Sequence, residues 1–497
     1  MDSRSEALRQ EIVLSDDSKI CSVRISSELM RTLDRMLYRR YPEGEWGSFF
    51  RIGYRETPWG IAATIVDLLD PVEGDFDPES HVMEFQPAYI GRALEDSEAH
   101  EFGMGFIHSH PEDCPPRPSP SDNDMDRYFA EEFERYTNGR PYLSLIVSRN
   151  SNGEKTFSGR CFHKGKWLDV TEWRATGVSQ ISKFDHYKRR EDVSLTDETE
   201  RASELLGEMA IKRLKKSTIG IVGCSGLGTP SAEVLVRAGV SKFVLIDPGK
   251  FKPSNLERNH ASRHEDLTAK NLRKVDLLER LILEINPKAI VIKICGDVLA
   301  PESIDELVRC DLVLSCTDSF YARAALGDLA IHYLVPFLDL AVQMGAKDGR
   351  LTDQVGEVAK YATDLPCPWC RNRVSAAGIK AEMATDAERE RAIKDALAAE
   401  ERGDDGQQYW TGQQHQELTV GYMTTAVGAL GAGYAQHWIT GVAEQPHARF
   451  QFDVGSAFFG IAEDDTEANP ECTCVRCRGF SDQGSADFKV FQPEPTI

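Results

Sequence analysis

One loop in this sequence has the residue types and spacing to hold phosphate groups. Gly223-Cys224-Ser225-Gly226-Leu227-Gly228 joins the apolar run TIGIV to an amphipathic stretch. Small residues there let backbone N–H groups approach phosphates at the N-terminus of a helix. Asp247 ends the next apolar run, where a carboxylate can accept hydrogen bonds from ribose hydroxyls. Similar loops occur in dinucleotide oxidoreductases or serve packing alone, so the loop leaves its ligand open.

Polar residues further along the chain favour ATP over a nicotinamide cofactor. A reaction that joins a carboxylate to AMP requires cations for the triphosphate, a polar amide near the phosphates and an acid that holds Mg²⁺. Hydride transfer has no use for this set. The candidates follow successive predicted strands, at the sheet edge where ligands bind: Asn255, Arg258, Lys274 and Asp318.

These segments, with PSNLERN and CTDSF among them, resemble the ThiF/MoeB-type adenylyltransferases and the ubiquitin-activating enzymes over roughly residues 200–480. The resemblance implies that ATP and Mg²⁺ are used to adenylate the C-terminal glycine of a ubiquitin-like protein. It implies ribose binding by Asp247, Mg²⁺ binding by Asp318, and phosphate binding by Asn255, Arg258 and Lys274. Arg201 is placed like the family's arginine finger, which reaches the ATP of the opposite subunit. Relatives dimerise through this domain, and the glycines and alanines of 426–435 permit close helix packing, so a homodimer is expected; packing within the subunit is the alternative use of these residues.

Two features differ from the family pattern. Ser225-Gly226 stands where the family usually has two adjacent glycines, a small change that is compatible with phosphate binding. No cysteine lies between Arg371 and Glu471, although relatives that form a thioester usually carry one there. We therefore expect an enzyme that stops at the acyl adenylate or passes it to another protein, either a conjugating enzyme or a sulfur donor.

Paired cysteines predict a structural zinc site. Cys367 and Cys370 form one CxxC pair, and Cys474 and Cys477 form a second. Four thiolates are the ligand set of tetrahedral structural zinc. Cys472 is an alternative ligand, a free thiol, or a candidate sulfur acceptor within the chain. Reduced, unligated thiols and a redox pair are the other interpretations.

A second metal centre is predicted near the N-terminus. His108 and His110 follow the apolar run GMGFI, and residues two apart on a strand point the same way. The next loop brings Ser119 and Asp122 within reach. Two histidines and one aspartate leave a position open for water, which is typical of catalytic zinc. Glu45 is the candidate general base, with Glu43 as the alternative.

The strings EWG, HSHP and RPSPSD resemble the JAB/MPN (JAMM) metalloprotease family over about residues 20–170. The resemblance implies zinc-dependent cleavage after the C-terminal glycine of ubiquitin-like proteins. In that role Glu45 is the base, Ser119 steadies the oxyanion, and His108, His110 and Asp122 bind zinc. Eight residues separate His110 from Ser119 where the family usually has seven. Ser121 and Asp124 are therefore an alternative pair.

The chain of 497 residues is long enough for two or three domains. We predict an α/β protein with a JAB/MPN domain at 1–170, a linker at 171–200, and a doubly wound, Rossmann-like adenylation domain at 201–497. A net charge of −22 argues against nucleic-acid binding, and the lack of a long apolar run argues against a membrane span. A cytoplasmic enzyme is expected. Alternatives are activation of a sulfur carrier for thiocarboxylate synthesis and an inactive binding scaffold.

Overall fold

A computed structural model describes most of the chain as two eight-stranded sheets with helices around them. The described residues are 12, 14, 19–39, 44–76, 85–189, 195, 197–401, 419–443, 447–455, 458–461 and 466–487. Side chains are described throughout these residues except at 396–401, 458–461 and 485–487. Glu43, the alternative candidate base, lies outside the described residues.

The first sheet contains all eight strands of the N-terminal half, in the order β1-β3-β2-β4-β5-β6-β7-β8. Because β1 pairs with β7 as well as with β3, this sheet closes on itself. Three helices pack on it. Its elements are β1 (Ile20–Ser26), α1 (Ser27–Leu37), β2 (Gly47–Thr57), β3 (Gly60–Leu69), α2 (Pro87–Ala99), β4 (Gly103–Ser109), α3 (Pro120–Tyr136), β5 (Tyr142–Arg149), β6 (Lys155–His163), β7 (Lys166–Thr176) and β8 (Ile181–His186).

Two apolar clusters fill the N-terminal half, one on each face of the sheet. The α1 face is mainly aliphatic and includes Leu33 and Leu37. The face under α2 and α3 is aromatic, with Phe49, Phe106 and Phe129 at its centre. Phe49 and Phe129 meet edge to face at 5.0 Å between ring centroids, an arrangement that aromatic rings favour. The β4 strand is therefore held firmly from both sides up to the point where the histidines begin.

The predicted linker at 171–200 is wrong over its first half. Residues 171–176 continue β7, which pairs in parallel with β1, and Ile181–His186 form β8, which pairs with β7. The physical reason is that charged side chains alternate with buried ones along these strands. Trp173 and Ile181, for example, are buried. Alternating charge thus indicated a half-buried strand here.

The second sheet has the order β11-β10-β9-β12-β13-β14-β15-β16. Its first five strands are parallel, in the order of a doubly wound nucleotide-binding fold, and the last three are antiparallel. Within the described residues no helix is long and apolar enough to cross a membrane. The elements are α4 (Glu200–Leu206), α5 (Glu208–Lys216), β9 (Thr218–Val222), α6 (Gly228–Arg237), β10 (Lys242–Ile246), α7 (Lys274–Ile285), β11 (Ile290–Ile294), α8 (Pro301–Leu307), β12 (Leu312–Ser315), α9 (Phe320–His332), β13 (Phe337–Lys347), β14 (Arg350–Tyr361), α10 (Ala376–Met383), α11 (Asp386–Glu401), α12 (Gly421–Thr440), β15 (Arg449–Asp453), β16 (Phe458–Ile461) and α13 (Thr473–Arg476).

Helices cover both faces of this parallel sheet. One apolar cluster joins α5, α6, α7 and α12 to the sheet, and another joins α8 and α9 to its opposite face. The strand order reverses between β9 and β12, since the chain winds outward from β9 in both directions. In open α/β sheets, ligands bind outside the carboxyl ends of the strands at this point of reversal. The fold therefore predicts where a ligand should lie before any side chain is considered.

The N-terminal half packs against the amino ends of these parallel strands. Buried Arg174 of β7 forms an ion pair with Asp311, the residue before β12. Asp311 also accepts a hydrogen bond from the backbone N–H of Thr218, the first residue of β9, at 2.8 Å. Buried Arg24 of β1 donates to the carbonyl of Cys310. These contacts do not involve the carboxyl edge of the sheet, which is therefore accessible to ligands.

Candidate active sites

A cavity of about 380 Å³ opens at the carboxyl ends of β9, β10 and β12. It lies at the reversal of strand order, as the fold predicts. Eight of the nine predicted nucleotide-binding residues line it, and Gly228 does not. The eight are Gly223, Ser225, Gly226, Asp247, Asn255, Arg258, Lys274 and Asp318.

The glycine loop is tight enough to require at least two of its glycines. Gly223 has a φ of 97°, which favours glycine, and a Cβ there would lie 2.5 Å from the carbonyl oxygen of Cys316. Gly228 begins α6, and a Cβ there would lie 2.1 Å from the carbonyl oxygen of Gly223. The lack of a side chain at Gly228 therefore allows this loop conformation, although Gly228 itself does not line the cavity. Gly223 does line it.

Asp247 fastens two turns together at the base of the cavity. Its Oδ2 accepts a hydrogen bond from the backbone N–H of Cys224 at 2.8 Å, and its Oδ1 accepts one from Gly249 at 2.7 Å. Lys274 Nζ lies 3.8 Å from Asp247 Oδ2. Each carboxylate oxygen can accept a second hydrogen bond, so ribose contacts remain possible. Asp247 is thus held in place by the chain that surrounds it.

Several residues that line the cavity carry no signal in the sequence motifs. Thr419 and Thr424, at the start of α12 in the fold, lie more than 150 residues beyond Arg258. Arg258 Nη1 donates to the carbonyl of Thr419 at 3.1 Å. Tyr321 and Asp297 form another part of the wall, and the Tyr321 hydroxyl donates to Asp297 at 3.1 Å. Thr419 and Thr424 lie near the start of a helix rich in small residues, and this is the only sequence signal for their part of the cavity wall.

Arg201 does not line the cavity of its own chain. It is exposed on α4. Its predicted reach into the nucleotide site of a second subunit stays a prediction.

The second candidate site is a candidate metal centre at the carboxyl end of β4. The side-chain ligand atoms of His108, His110 and Asp122 all lie within 4.8 Å of one another. Nε2 of His108 is 3.2 Å from Oδ1 of Asp122, and Nε2 of His110 is 3.9 Å from its Oδ2. Neither ring nitrogen of buried His108 forms a hydrogen bond with the described residues. Such a set fits a zinc ion, which would satisfy that buried imidazole.

Helix capping fixes the third of these residues. Ser119 is the N-cap of α3: its Oγ accepts from the backbone N–H of Asp122 at 3.1 Å, and Asp122 Oδ2 accepts from the N–H of Ser119 at 2.6 Å. This reciprocal pair is a capping box. In the alternative pair, Asp124 is half exposed and lies 3.3 Å from Arg127. The geometry therefore brings Asp122, and not Asp124, to the histidines.

The electrostatics of this centre favour the protonation states that bind a metal. Burial and the neighbouring His108 lower the pKa of His110, which favours the neutral imidazole. Although burial alone would raise it, the proximity of His108 and the backbone N–H of Ser119 hold the pKa of Asp122 well below its usual range. His110 Nδ1 lies 3.0 Å from the carbonyl oxygen of Pro115, which orients the ring with Nε2 toward Asp122.

Glu45 lies beside the same centre. Gly47, two residues later, is paired with His108 between β2 and β4, and the N–H of Ser109 donates to the carbonyl of Trp46 at 2.8 Å. Burial raises the pKa of Glu45, while the charge of His108 lowers it. A half-buried carboxylate with a raised pKa is suited to accept a proton from water near neutral pH.

The cysteine cluster differs from the prediction by one residue. The four sulfur atoms that lie within 4.8 Å of one another belong to Cys367, Cys370, Cys472 and Cys474. Cys472 Sγ lies 3.7 Å from Cys367 Sγ, and Cys474 Sγ lies 3.8 Å from Cys370 Sγ. Cys477 is not in the group, so the predicted ligand set is corrected. The reason is that Cys472 is the N-cap of α13 and Cys477 is its C-cap, so the two cysteines lie at opposite ends of this short helix.

Hydrogen bonding from Cys367 lowers the pKa of Cys474 to about 5, whereas the same contact and burial raise the pKa of Cys367, so the charge of the cluster lies on Cys474. The backbone N–H of Asn469 donates to Cys370 Sγ at 3.4 Å, which stabilises a charged sulfur. Thiolates in this arrangement fit a tetrahedral zinc ion. Cys472, as a member of the cluster, is no longer a good candidate for a sulfur acceptor.

The model of the ThiF family matches residues 198–474, more than half of the chain. The sulfur carrier protein ThiS adenylyltransferase of Bacillus subtilis is 35% identical over 134 residues, which cover 27% of this chain and 39% of that protein. Ubiquitin-like modifier-activating enzyme 5 of Aedes aegypti is 25% identical over 168 residues, which cover 31% of this chain and 41% of that protein. The chain thus spans about two fifths of the length of these relatives.

Among solved structures, that of E. coli MccB with ATP aligns with a TM-score of 0.42 at 14% identity. The alignment covers 56% of this chain and 74% of that one.

Proposed function

Because this chain belongs to the ThiF family, we propose that its C-terminal half adenylates the C-terminal glycine of a ubiquitin-like protein with ATP and Mg²⁺. One observation carries the proposal: eight residues from five separate segments converge on a single cavity at the carboxyl edge of the sheet. The members of this set supply backbone donors, an amide, two cations and two carboxylates. Adenylation requires each of these groups, whereas a packing loop requires none of them.

In the proposed reaction, a carboxylate oxygen of the modifier attacks the α-phosphorus of ATP. A new P–O bond forms, the bond to the bridging oxygen breaks, and pyrophosphate leaves with that electron pair. Arg258 and Lys274 line the cavity and offset the negative charge that develops on the phosphates. Asp318 is exposed on the turn after β12, where its carboxylate would hold Mg²⁺.

The fate of the adenylate separates two versions of this function. In the first, a conjugating enzyme's cysteine takes the modifier, and in the second, a sulfur donor converts it to a thiocarboxylate. The similarity to a B. subtilis enzyme that acts on a sulfur carrier supports the second version. The inclusion of Cys472 in the cysteine cluster supports transfer to another protein in either version.

For the N-terminal half we propose a JAMM-type zinc metallopeptidase over about residues 20–186. His108, His110 and Asp122 would hold the zinc ion, which supplies an activated water for amide hydrolysis. Glu45 would accept the proton of the attacking water. Ser119, as the cap of α3, holds Asp122 in place, and this explains its spacing as well as a direct role at the oxyanion does.

The two centres lie away from the interface between the halves. The interface involves residues at the amino ends of β9 and β12, and the nucleotide cavity is at their carboxyl ends. On β2, Gly47 pairs with His108, whereas Gly53 lies against Gly479 of the C-terminal half. Each centre is therefore set back from the interface by the length of a strand, on the order of 15–20 Å. We infer that a modifier leaves one centre before it engages the other.

Exchange of radiolabelled pyrophosphate into ATP tests the adenylation directly. We expect exchange that depends on a ubiquitin-like protein, and mass analysis of that protein's C-terminus to show an adenylate alone or, with a sulfur donor, a thiocarboxylate. Exchange without any such protein, or none with every ubiquitin-like protein of the source genome, would contradict the proposal. Homodimerisation, with Arg201 acting across the interface, is a further proposal that mixing Arg201→Ala with Asp318→Ala would test by recovery of activity.

A further inference from the structure

Glu382 belongs to none of the motifs above, yet its carboxylate contacts the turn that carries Asp318. Its Oε2 accepts hydrogen bonds from Ser319 Oγ at 2.7 Å and from the backbone N–H of Tyr321 at 3.0 Å. Its Oε1 accepts from the N–H of Phe320 at 2.8 Å. Glu382 is on α10, more than 60 residues further along the chain, so this contact joins two separate elements.

The contact supplies hydrogen-bond acceptors for the first N–H groups of α9. The first N–H groups of a helix have no partner within the helix, and a negative charge is favoured beside them. Ser319 Oγ already accepts from the N–H of Ala322 at 3.1 Å, so its proton is directed to Glu382. Thr317 Oγ1 accepts from the N–H of Ser319 at 3.1 Å. Hydrogen bonds on both sides of Asp318 thus fix its turn, and Glu382 provides three of them.

Close packing of α10 on α9 is a second observation that places Glu382 at the turn of Asp318. A Cβ on Gly378 would lie 2.6 Å from Cδ2 of Phe320, so the helix is seated with no room for a side chain there. Arg389 Nη2 donates to the carbonyl of Glu382 at 3.2 Å and ties the following helix to the same point. These contacts therefore hold the backbone of Glu382 close to the turn.

We propose that Glu382 is a positioning residue for Asp318 and that docking of α10 sets the geometry of the Mg²⁺-binding carboxylate. The proposal rests on the proposed adenylation. It predicts that loss of the carboxylate affects the Mg²⁺-dependent step and leaves recognition of the modifier unchanged. Gly378→Ala should have the same effect with the carboxylate intact, because the added methyl group displaces α10 from Phe320.

The test compares Glu382→Ala, Glu382→Gln and Gly378→Ala with the wild type in the full-length protein. Glu388→Gln is the matched control: Glu388 is exposed near the start of α11 and bonds only to Thr385 among the described residues, so the same charge is removed away from the turn. The measurements are kcat and KM of pyrophosphate exchange, Tm, and the Mg²⁺ concentration that gives half-maximal binding of ATP.

For Glu382→Ala we expect kcat to fall about 10- to 100-fold, the loss typical of a catalytic group displaced by about 1 Å. The Mg²⁺ requirement should rise, and the KM for the modifier should stay within about threefold. Glu382→Gln keeps one acceptor oxygen and should be intermediate, and Glu388→Gln should match the wild type.

Values of kcat and Mg²⁺ requirement within twofold of wild type for Glu382→Ala would overturn the proposal. So would a lowered Tm with equal losses in the Ala and Gln variants, since that pattern indicates a structural role alone. Absence of exchange in the wild type would instead remove the proposed function, and Mg²⁺-dependent ATP binding by the variants would still decide the positioning role.

Discussion

Backbone hydrogen bonds hold the carboxylates of the two candidate centres before any ligand binds. Asp122 accepts from the N–H of Ser119, and Asp247 accepts from those of Cys224 and Gly249. Asp318 differs, because it is exposed and its turn is fixed by a residue from another helix. Pre-organisation of this kind lowers the cost of arranging charged groups at the moment of reaction.

The glycine loop offers a sharp single-residue test. Gly228→Ala places a Cβ 2.1 Å from the carbonyl oxygen of Gly223, so the loop must shift and its N–H groups turn away from the cavity. We expect ATP affinity, measured by calorimetry, to fall at least about tenfold, which corresponds to about 1.4 kcal/mol.

Gly433→Ala is the matched control for this substitution. Gly433 is within α12, and no heavy atom lies within 4 Å of a Cβ built there. Its affinity for ATP should be unchanged, and the helix should gain up to about 1 kcal/mol of stability. Equal affinities of the two variants would show that the loop does not bind the nucleotide.

The cysteine cluster gives a second test. We expect Cys472→Ser to release zinc that the wild type retains, because its sulfur lies 3.7 Å from that of Cys367. Cys477→Ser should retain the zinc, since Cys477 is outside the cluster. Zinc content by atomic absorption checks both variants. Retention by Cys472→Ser together with loss from Cys477→Ser would restore the pairing expected from the sequence.

At the residue scale, the sequence predicted which side chains lie close together where a motif is continuous, and the roles of these residues stay predictions. The glycine loop, His108 and His110, and the Ser119/Asp122 pair each lie in a short segment whose spacing carries the geometry. It failed where several residues of one type compete, since C-x-C-x-x-C does not reveal which sulfur atoms face Cys367. It also missed Glu382 and Thr419, because each reaches its site only through the packing of a distant helix.

At the scale of secondary structure, a buried ion pair connects β7 to the amino ends of the parallel strands in the second sheet. Asp311 pairs with Arg174, and Lys183 Nζ lies 4.0 Å from Asp311. Although burial opposes ionisation, these cations lower the pKa of Asp311 below its ordinary value of 3.8. The carboxylate therefore stabilises the folded protein whenever it is ionised.

Asp311→Asn should destabilise the protein by about 3–5 kcal/mol, because it leaves the Arg174 guanidinium buried with too little negative charge. The group's folded pKa is lowered, so its stabilisation is present above its unfolded pKa near 3.8 and is lost as pH falls through the lower folded value. Urea unfolding should thus show a constant difference between variant and wild type from about pH 5 to 8 that narrows below about pH 4.

The control for this substitution is Asp185→Asn, on β8 beside the same interface. Asp185 is largely exposed and lies 3.5 Å from Lys216. A surface pair of this kind contributes about 0–1 kcal/mol, so its loss should be hard to detect. If Asp311→Asn were equally mild, the interface would not depend on the buried pair.

The elements of the C-terminal half were predictable because apolar strands, glycine loops and amphipathic helices alternate along that part of the chain. The end of the N-terminal half was not. In β7 and β8, buried residues such as Trp173 alternate with charged ones, and alternating charge is also typical of a linker. A period of two was the available signal.

At the scale of the whole molecule, the sequence predicted two catalytic halves but not how they pack. Contacts such as that between Arg24 and Cys310 join residues almost 290 positions apart, and no local pattern contains that information. The packing places the two candidate centres away from the shared interface. Under the proposed functions, the fusion would supply equal amounts of the two activities without a channel between them.

A mixing experiment tests this arrangement. Glu45→Gln removes the proposed base of the N-terminal centre, and Asp318→Ala removes the proposed Mg²⁺ ligand of the other. Because the modifier is expected to leave one centre before it engages the second, an equimolar mixture of the two variants should process and adenylate a precursor at about half the wild-type rate. A mixture below about a tenth of that rate would indicate direct transfer within one chain.

The most direct test of the account uses one ubiquitin-like protein in two forms, one ending at its terminal glycine and one extended beyond it, with pyrophosphate release as the readout. The wild type should release pyrophosphate with both forms, Glu45→Gln with the mature form only, and Asp318→Ala with neither. Release from the extended form by Glu45→Gln, or from the mature form by Asp318→Ala, would contradict the assignment of a protease and an adenylyltransferase to one chain.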